Sequence, residues 1–549
     1  MYRRKKGKRE KMRKRKFSTV AIAGCLALSM AFSGCAKKSE GDTSAASTEA
    51  ATSVSTEAGT AASTEGGTAA STEAGTTAST EKTSTEASTE GGTSADEKIT
   101  MENIRNYVVG IDEPVELKDG TKQPLINFDN AATTPSLTPV SAKVEEELKM
   151  YGSIGRGFSQ KSDHSSDMVA ATRQKVIKFV GADKEENEYT CVFVNNTTDG
   201  LNKLASALIK DKKDVILTTR IEHHSNDLSW RERGTVIYAE VDDKGRVKYE
   251  DIEKLLKENK VKVVSVTAAS NVTGYVTDVH RVAKLAHQYG AMIVVDGAQI
   301  VAHRKFEMKG ATPEEDIDFL VFSAHKMYTP YGGGAIVGKD MLMNEEGRMP
   351  DVYGGGTVSI VSDSNQSYHN APESWEAGSP NYPSIVGLNK AIDILEEVGF
   401  DKIEEHEKVL NRKLIDGLKK FDNIVIYGDS ENIDDRVGVV TFDFTDLNSY
   451  HLAVALKEYG GVATRRGAFC AHPYVWRLKG IPDDSVFSYD GCEGAYTPGM
   501  VRVSFGIYNT EEEVDKFLEV LPKAIEEGKK AMDEDAKNAV TDKPMHPEF

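Results

Sequence analysis

Seven short runs rich in Val, Ile and Phe punctuate the middle of this chain, and they limit its fold more than any other feature. They are Cys191 to Val194, Val215 to Thr218, Val236 to Val241, Val263 to Ala268, Met292 to Asp296, Phe319 to Ser323 and Ala335 to Gly338. Each is nearly continuous in apolar character, as strands buried on both faces are. Amphipathic helical patterns, such as Tyr249 to Asn259 and Val279 to Gly290, separate several of them. That alternation predicts an α/β fold with a seven-stranded, mainly parallel sheet covered on both sides. After Trp375 the pattern changes to helices over Ile385 to Val398 and Asp401 to Phe421, then to mixed elements that suit a smaller C-terminal α+β domain.

The chain has 549 residues, and its hydrophobic share of 39% is low for a packed protein of that length. The deficit lies near the N-terminus. From about Gly41 to Ala95 the residues are almost wholly Ser, Thr, Glu, Ala and Gly, with Ser-Thr-Glu repeating at Ser47, Ser55, Ser63, Ser71 and Ser79. No apolar face can be assembled from such a segment, so burial cannot offset the entropy of ordering it and a solvated tether is expected. In front of it, Arg3 to Lys16 carries eleven Lys or Arg against one acid, and an apolar stretch from Val20 to Phe32 leads into Ser33-Gly34-Cys35. This arrangement resembles a bacterial lipoprotein signal, which implies lipidation of Cys35 and a location outside the cytoplasmic membrane. The expected organisation is a signal over 1–35, a tether over 36–95, a large domain over 96–390, a small domain over 391–530 and a tail over 531–549.

Charge and cysteines narrow the partners. Removal of residues 1–34 moves the formal charge from −18 to about −28, so nucleic acid is not an expected partner and contact with a membrane is expected only through the anchor. A small molecule is the expected substrate, and no metal is called for. Of the five cysteines, Cys25 and Cys35 belong to the signal region and Cys191 opens a buried run, which leaves Cys470 and Cys492. Outside the cytoplasm these two are able to form a disulfide, and a paired Cys470 is no nucleophile.

Chemistry concentrates where the strand-like runs end. One run ends in Asp296-Gly297-Ala298-Gln299 and the next in Ser323-Ala324-His325-Lys326. A lysine amine can condense with an aldehyde, and a carboxylate can keep a pyridine nitrogen protonated, so the pair fits pyridoxal phosphate. Asn195-Asn196-Thr197-Thr198-Asp199-Gly200 follows the first run and opens a helix, where hydroxyls and free backbone amides suit the cofactor phosphate. Glu222-His223-His224 follows the second run and brings an imidazole able to stack on the pyridine ring. Ser270-Asn271-Val272-Thr273-Gly274, after the fourth, offers an amide to the phenolic oxygen. Ligands of such sheets bind beyond the carboxyl ends of the strands, where all of these residues fall.

Asp129-Asn130-Ala131-Ala132-Thr133-Thr134, together with the motifs at Glu222, Ser270, Asp296 and Ser323, resembles the motif series of class V pyridoxal phosphate-dependent aminotransferases. Within that class the chain is most similar to cysteine desulfurases and selenocysteine lyases, over about Ile126 to Leu521. The resemblance implies fold type I and a homodimer. It also implies that Lys326 binds the cofactor aldehyde and moves protons, Asp296 faces the pyridinium, His223 stacks on the ring and Gln299 reaches the phenolic oxygen. Thr198, Ser323 and His325 would hold the phosphate with Thr197 close by, and Ser379 would join them from the other subunit. Arg502 would grip the substrate carboxylate, for which a planar fork is suited, and Asn130 would border the substrate.

Cys470 lies in Arg465-Arg466-Gly467-Ala468-Phe469-Cys470-Ala471-His472-Pro473, which resembles the loop whose cysteine removes sulfur in the desulfurases. The implied reaction converts L-cysteine to alanine and leaves a persulfide on Cys470. Ala468-Phe469 stands where histidines are common in that loop, and the link from Pro473 to Val501 is longer than usual. Two other readings stay open: a class V aminotransferase, epimerase or lyase in which Cys470 only packs, and a surface lipoprotein that keeps the fold as a binding module. Export would also separate the enzyme from cytoplasmic sulfur acceptors, which favours cysteine scavenging or sulfide release over cluster building.

Overall fold

All seven apolar runs are strands of one sheet: β1 (Tyr189–Val194), β2 (Val215–Thr219), β3 (Thr235–Ala239), β4 (Val261–Thr267), β5 (Met292–Asp296), β6 (Phe319–Ser323) and β7 (Gly334–Lys339). The computed structural model describes residues 98–184, 188–490 and 497–539, which all lie in the compact unit Gly91–Phe549. The expected signal and tether fall outside these residues. The sheet order is β1-β7-β6-β5-β4-β2-β3. Only β7 runs against its neighbours, β1 and β6; the remaining pairs are parallel.

Side chains alternate across each strand, and the two faces separate accordingly. Val294, Phe319, Val321 and Ile336 pack on one face with Leu201, Leu204 and Leu208 of α1 (Thr197–Leu208) and Trp230 of α2 (Ser225–Arg231). Ile293, Val295, Leu320 and Phe322 pack on the other with Val282, Ala283 and Ala286 of α3 (Val279–Gln288) and with α4 (Tyr382–Val398). Leu320 is fully buried, so truncating it to Ala would cost about 2–5 kcal/mol.

Registers align the functional ends. Thr267 pairs with Asp296 and Asp296 with Val321, while Gly334 pairs with both Ser323 and Val194. The carboxyl ends of β1, β4, β5 and β6 therefore share one sheet edge. Helix α1 starts close against it: a Cβ on Gly200 would come 2.5 Å from Val321 Cγ1, so glycine permits the approach.

A second sheet, antiparallel throughout, has the order β8 (Ile424–Tyr427), β9 (Val439–Phe444), β11 (Met500–Ser504), β10 (Arg465–Gly467). Around it lie α5 (Phe400–Leu418), α6 (Ser449–Gly460), α7 (His472–Leu478) and α8 (Glu511–Ala539). Phe442, Phe505 and Phe517 centre its core, and the Phe128 ring meets those of Phe505 and Phe517 edge-on at 5.2 and 5.9 Å. The backbone beside Phe128 is bonded to β11, where the Ser504 N–H donates to the Phe128 carbonyl at 2.7 Å. That pairing brings Asp129 beside Arg502.

Candidate active site

A cavity of about 330 Å³ opens at the shared sheet edge, between the strand ends of the main sheet and the β10–α7 loop of the second. Asp296 closes β5 and is 3% exposed. Its Oδ1 accepts the Ala298 N–H at 2.9 Å, while Oδ2 has no hydrogen-bond partner among the described residues. Burial pushes this carboxyl above the ordinary range, with the Ala298 amide and Lys326 opposing it.

Lys326 ends the single 3-10 turn Ala324–Lys326 that follows β6. Its ammonium makes no hydrogen bond among the described residues. Burial pushes the amine down to about 8, Asp296 opposing and Arg502 reinforcing the shift. A partly deprotonated lysine without a partner is a nucleophile toward an aldehyde.

The first turn of α1 and its neighbours form a ring of hydroxyls. The Thr197 N–H donates to Ser323 Oγ at 2.8 Å, the hydroxyls of Thr197 and Ser323 are 2.7 Å apart, and those of Thr198 and Ser225 are 2.6 Å apart. Asn196 caps the helix by accepting the Asp199 N–H at 2.9 Å. Hydroxyls at a helix N-terminus suit an anion such as phosphate. His325 adds a ring whose Nδ1 is 3.2 Å from the Thr133 hydroxyl, and burial pushes it down to about 4. In His223, Nδ1 accepts the Ser225 N–H at 3.1 Å, which places the ring proton on Nε2. Burial pushes His223 down to about 3, so it presents a neutral, flat ring.

Arg502 projects from β11 and is 2% exposed. Nη1 donates to the Asn271 carbonyl at 2.9 Å, Nη2 pairs with Asp129 Oδ1 at 3.0 Å, and Nε is buried without a partner. The Phe469 ring lies 5.0 Å from the guanidinium carbon. Arg465, half exposed, stands 3.8 Å from the other Asp129 oxygen. Cys470 is an exposed, free thiol. It and Phe469 occupy the left-handed region, with φ of 55° and 51°, a conformation that costs roughly 1–2 kcal/mol per residue.

Thr197, Thr198, His223, Asn271, Asp296, Gln299, Ser323, His325, Lys326, Cys470 and Arg502 all line this cavity. Two amides face elsewhere than expected: that of Asn271 donates to the Phe469 carbonyl at 2.7 Å and that of Gln299 to the Ala131 carbonyl at 3.0 Å. Asn130 lies behind the wall, 3% exposed, donating to Ser504 O and Asn509 Oδ1 at 3.1 Å and accepting from the Tyr508 hydroxyl at 2.8 Å. The cavity is lined instead by Ala131 and Ala132. Ser379 lines a smaller neighbouring cavity of about 80 Å³. Cys35 and Cys492 lie outside the described residues. Ser225, Thr267 and Arg465 also line the site and were not expected there; only Ser225 had a sequence signal, two positions after His223 and at a helix start. Among the described residues, no three or more His, Cys, Asp or Glu side chains group to hold a metal ion.

An unpaired lysine, a carboxylate with a free oxygen, an anion cradle and a neutral imidazole around one cavity fit pyridoxal phosphate. Comparison with known proteins agrees with this chemistry. The family model "Aminotransferase class-V" matches residues 126–517. A cysteine desulfurase from Haloferax volcanii is 34% identical over 76% of this chain and 93% of that protein. A probable cysteine desulfurase from Halalkalibacterium halodurans is 31% identical over 75% of this chain and 96% of that protein. Among solved structures, the apo cysteine desulfurase from Thermococcus onnurineus NA1 superposes with a TM-score of 0.67 at 30% identity, covering 77% of this chain and 98% of its own.

Proposed function

The chain belongs to the class V aminotransferase family and is a pyridoxal phosphate-dependent enzyme, and we propose that it removes sulfur from L-cysteine, giving alanine and a persulfide on Cys470. One observation carries the reading: Lys326, Asp296, Arg502 and Cys470 line a single cavity although they come from two different sheets and the loops around them. Bound there, pyridoxal phosphate supplies an aldehyde for the substrate amine and an electron sink at its α-carbon. Lys326 Nζ holds the cofactor aldehyde and moves protons at the substrate carbons. Asp296 Oδ2 is available to a protonated ring nitrogen, the hydroxyls of Thr197, Thr198, Ser225 and Ser323 to the phosphate, and the neutral face of His223 to the ring. The Arg502 fork orients the substrate carboxylate. Cys470, as thiolate, attacks the substrate sulfur; the sulfur–carbon bond breaks, and carbon keeps the electron pair and takes a proton. The test is purified, cofactor-loaded protein with L-cysteine and a thiol reductant. Alanine and sulfide form in equal amounts, and Cys470→Ala lowers both by roughly 100-fold or more while keeping the cofactor; turnover that survives the substitution would refute the reading.

The enzyme is further proposed to act as a lipid-anchored homodimer outside the cytoplasmic membrane. The basic segment, short apolar stretch and Cys35 support the anchor. No helix of the described residues is long and apolar enough to cross a membrane. The dimer is supported by Ser379, which lines no part of its own cofactor cavity, and by Ile360 and Val361 on the hairpin Val358–Val361/Gln366–Tyr368, 70% and 61% exposed. Palmitate labelling that is lost in Cys35→Ala, with the protein in the membrane fraction, is the expected result; unlabelled protein in the cytoplasm would exclude the anchor.

A further inference from the structure

The strained backbone at Cys470 must be held from outside, because two successive non-glycine residues in the left-handed region persist only where their surroundings over-determine them. The Asn271 amide holds Phe469, and the restraint at and after Cys470 comes from the turn that also carries His223. The backbone N–H of His224 donates to the Cys470 carbonyl at 2.7 Å. Two residues further along the loop, the backbone N–H of His472 donates to the ring Nε2 of His224 at 3.2 Å. His472 Nδ1 stands 3.0 Å from the same nitrogen, and the two imidazoles stack with centroids 4.8 Å apart and planes 18° from parallel. His224 thus grips the loop at Cys470 and again two residues after it, once with its backbone and once with its ring.

We propose that His224, paired with His472, is the positioning residue that sets the Cys470 thiol over the cavity. The inference rests on Cys470 being the sulfur-accepting group. Because Nε2 accepts the His472 N–H, the proton of the His224 ring sits on Nδ1 and the ring acts as a neutral acceptor. Burial first, then His472, push it down to about 4, which keeps that acceptor intact at neutral pH. His223 and His224 are consecutive, so a single turn after β2 carries the ring lining the cofactor cavity and the clamp on the nucleophile loop. Cofactor seating and thiol placement are mechanically joined at this turn.

The experiment uses the cofactor-loaded full chain with His224→Leu, which removes the ring acceptor and keeps the backbone donor. The expected result is a split: kcat for sulfide release from L-cysteine falls about tenfold or more. The KM for L-cysteine, the cofactor absorbance and the exchange of the α-proton of L-alanine in D2O, which needs no thiol, change by less than about twofold. Tryptic cleavage in the Arg465-Arg466 stretch becomes faster in the same variant. His224→Gln, whose amide oxygen can accept the His472 N–H, recovers sulfide release to within about threefold of the parent. Unchanged sulfide release in His224→Leu overturns the proposal, and so does an equal loss of proton exchange and sulfide release, which would mark a role in folding alone. Failure of the parent protein to desulfurate cysteine instead removes the function reading, and the proteolysis comparison then decides by itself whether His224 clamps the loop.

Discussion

Lys326 and Cys470 face one cavity, yet Lys326 follows a strand buried on both faces whereas Cys470 sits on an exposed loop in left-handed backbone. The lysine is placed by the register of β5, β6 and β7, which fixes Asp296 and Ser323 at the same sheet edge. The thiol is placed by polar contacts from residues more than 190 positions away, the Asn271 amide to Phe469 and the His224 N–H to Cys470. Cofactor chemistry thus stands on the rigid part of the molecule and sulfur chemistry on a part that has to be held. Loss of Lys326 should then abolish everything, whereas changes on the loop side should divide the reaction. Lys326→Ala is expected to lose the lysine-dependent absorbance of the bound cofactor and to lower turnover by roughly 10³-fold or more, read by absorbance and alanine release. A variant that kept both would break the comparison at its firmer end.

Arg502 sharpens the contrast, since it belongs to the second sheet but is as buried as the residues of the first. Its two Nη groups are committed to Asn271 and Asp129. Lysine cannot reproduce that planar fork. Arg502→Lys is expected to raise KM for L-cysteine by roughly 10- to 100-fold, the equivalent of one charge-assisted hydrogen bond, with a smaller change in kcat. Steady-state kinetics decide it: an equal fall in kcat with KM unchanged would mean that Arg502 acts on the reacting atoms and not on the carboxylate.

What the sequence discloses follows the same division. Strands buried on both faces announce themselves as continuous apolar runs, and the residues at their ends, Asp296 and Lys326 among them, inherit a predictable position. Four of the seven strands begin before their expected starts; in β1 the added residues are Tyr189 and Thr190, an aromatic and a polar side chain that break the apolar pattern while still pairing with β7. The rest was hidden for a physical reason: a side chain's partner is set by tertiary approach. Its place after a strand points Asn271 at the cofactor and the family resemblance points Asn130 at the substrate, but the amide of one holds Phe469 and the other is spent on Ser504, Asn509 and Tyr508. Arg465 and the His224–His472 pair carried no periodic or spacing signal, since Arg465 meets the cavity and the two rings meet each other only when the β10–α7 segment packs against the main sheet's loops.

The smallest expected effect tests the rigid side directly. Burial lowers the Lys326 amine to about 8, and the nearby Asp296 charge opposes the shift. Below that value the amine carries a proton and cannot attack an aldehyde. Capture of pyridoxal phosphate by the cofactor-free protein, trapped with borohydride, should therefore speed up about tenfold per pH unit up to about 8 and then level off. A solvated lysine would keep accelerating beyond pH 10. Asp296→Asn removes the charge that favours the ammonium, so the plateau should begin at lower pH in that variant. A plateau that does not move would mean that the Asp296 charge has no part in setting the amine, and that the two strand ends do not sense each other before the cofactor joins them.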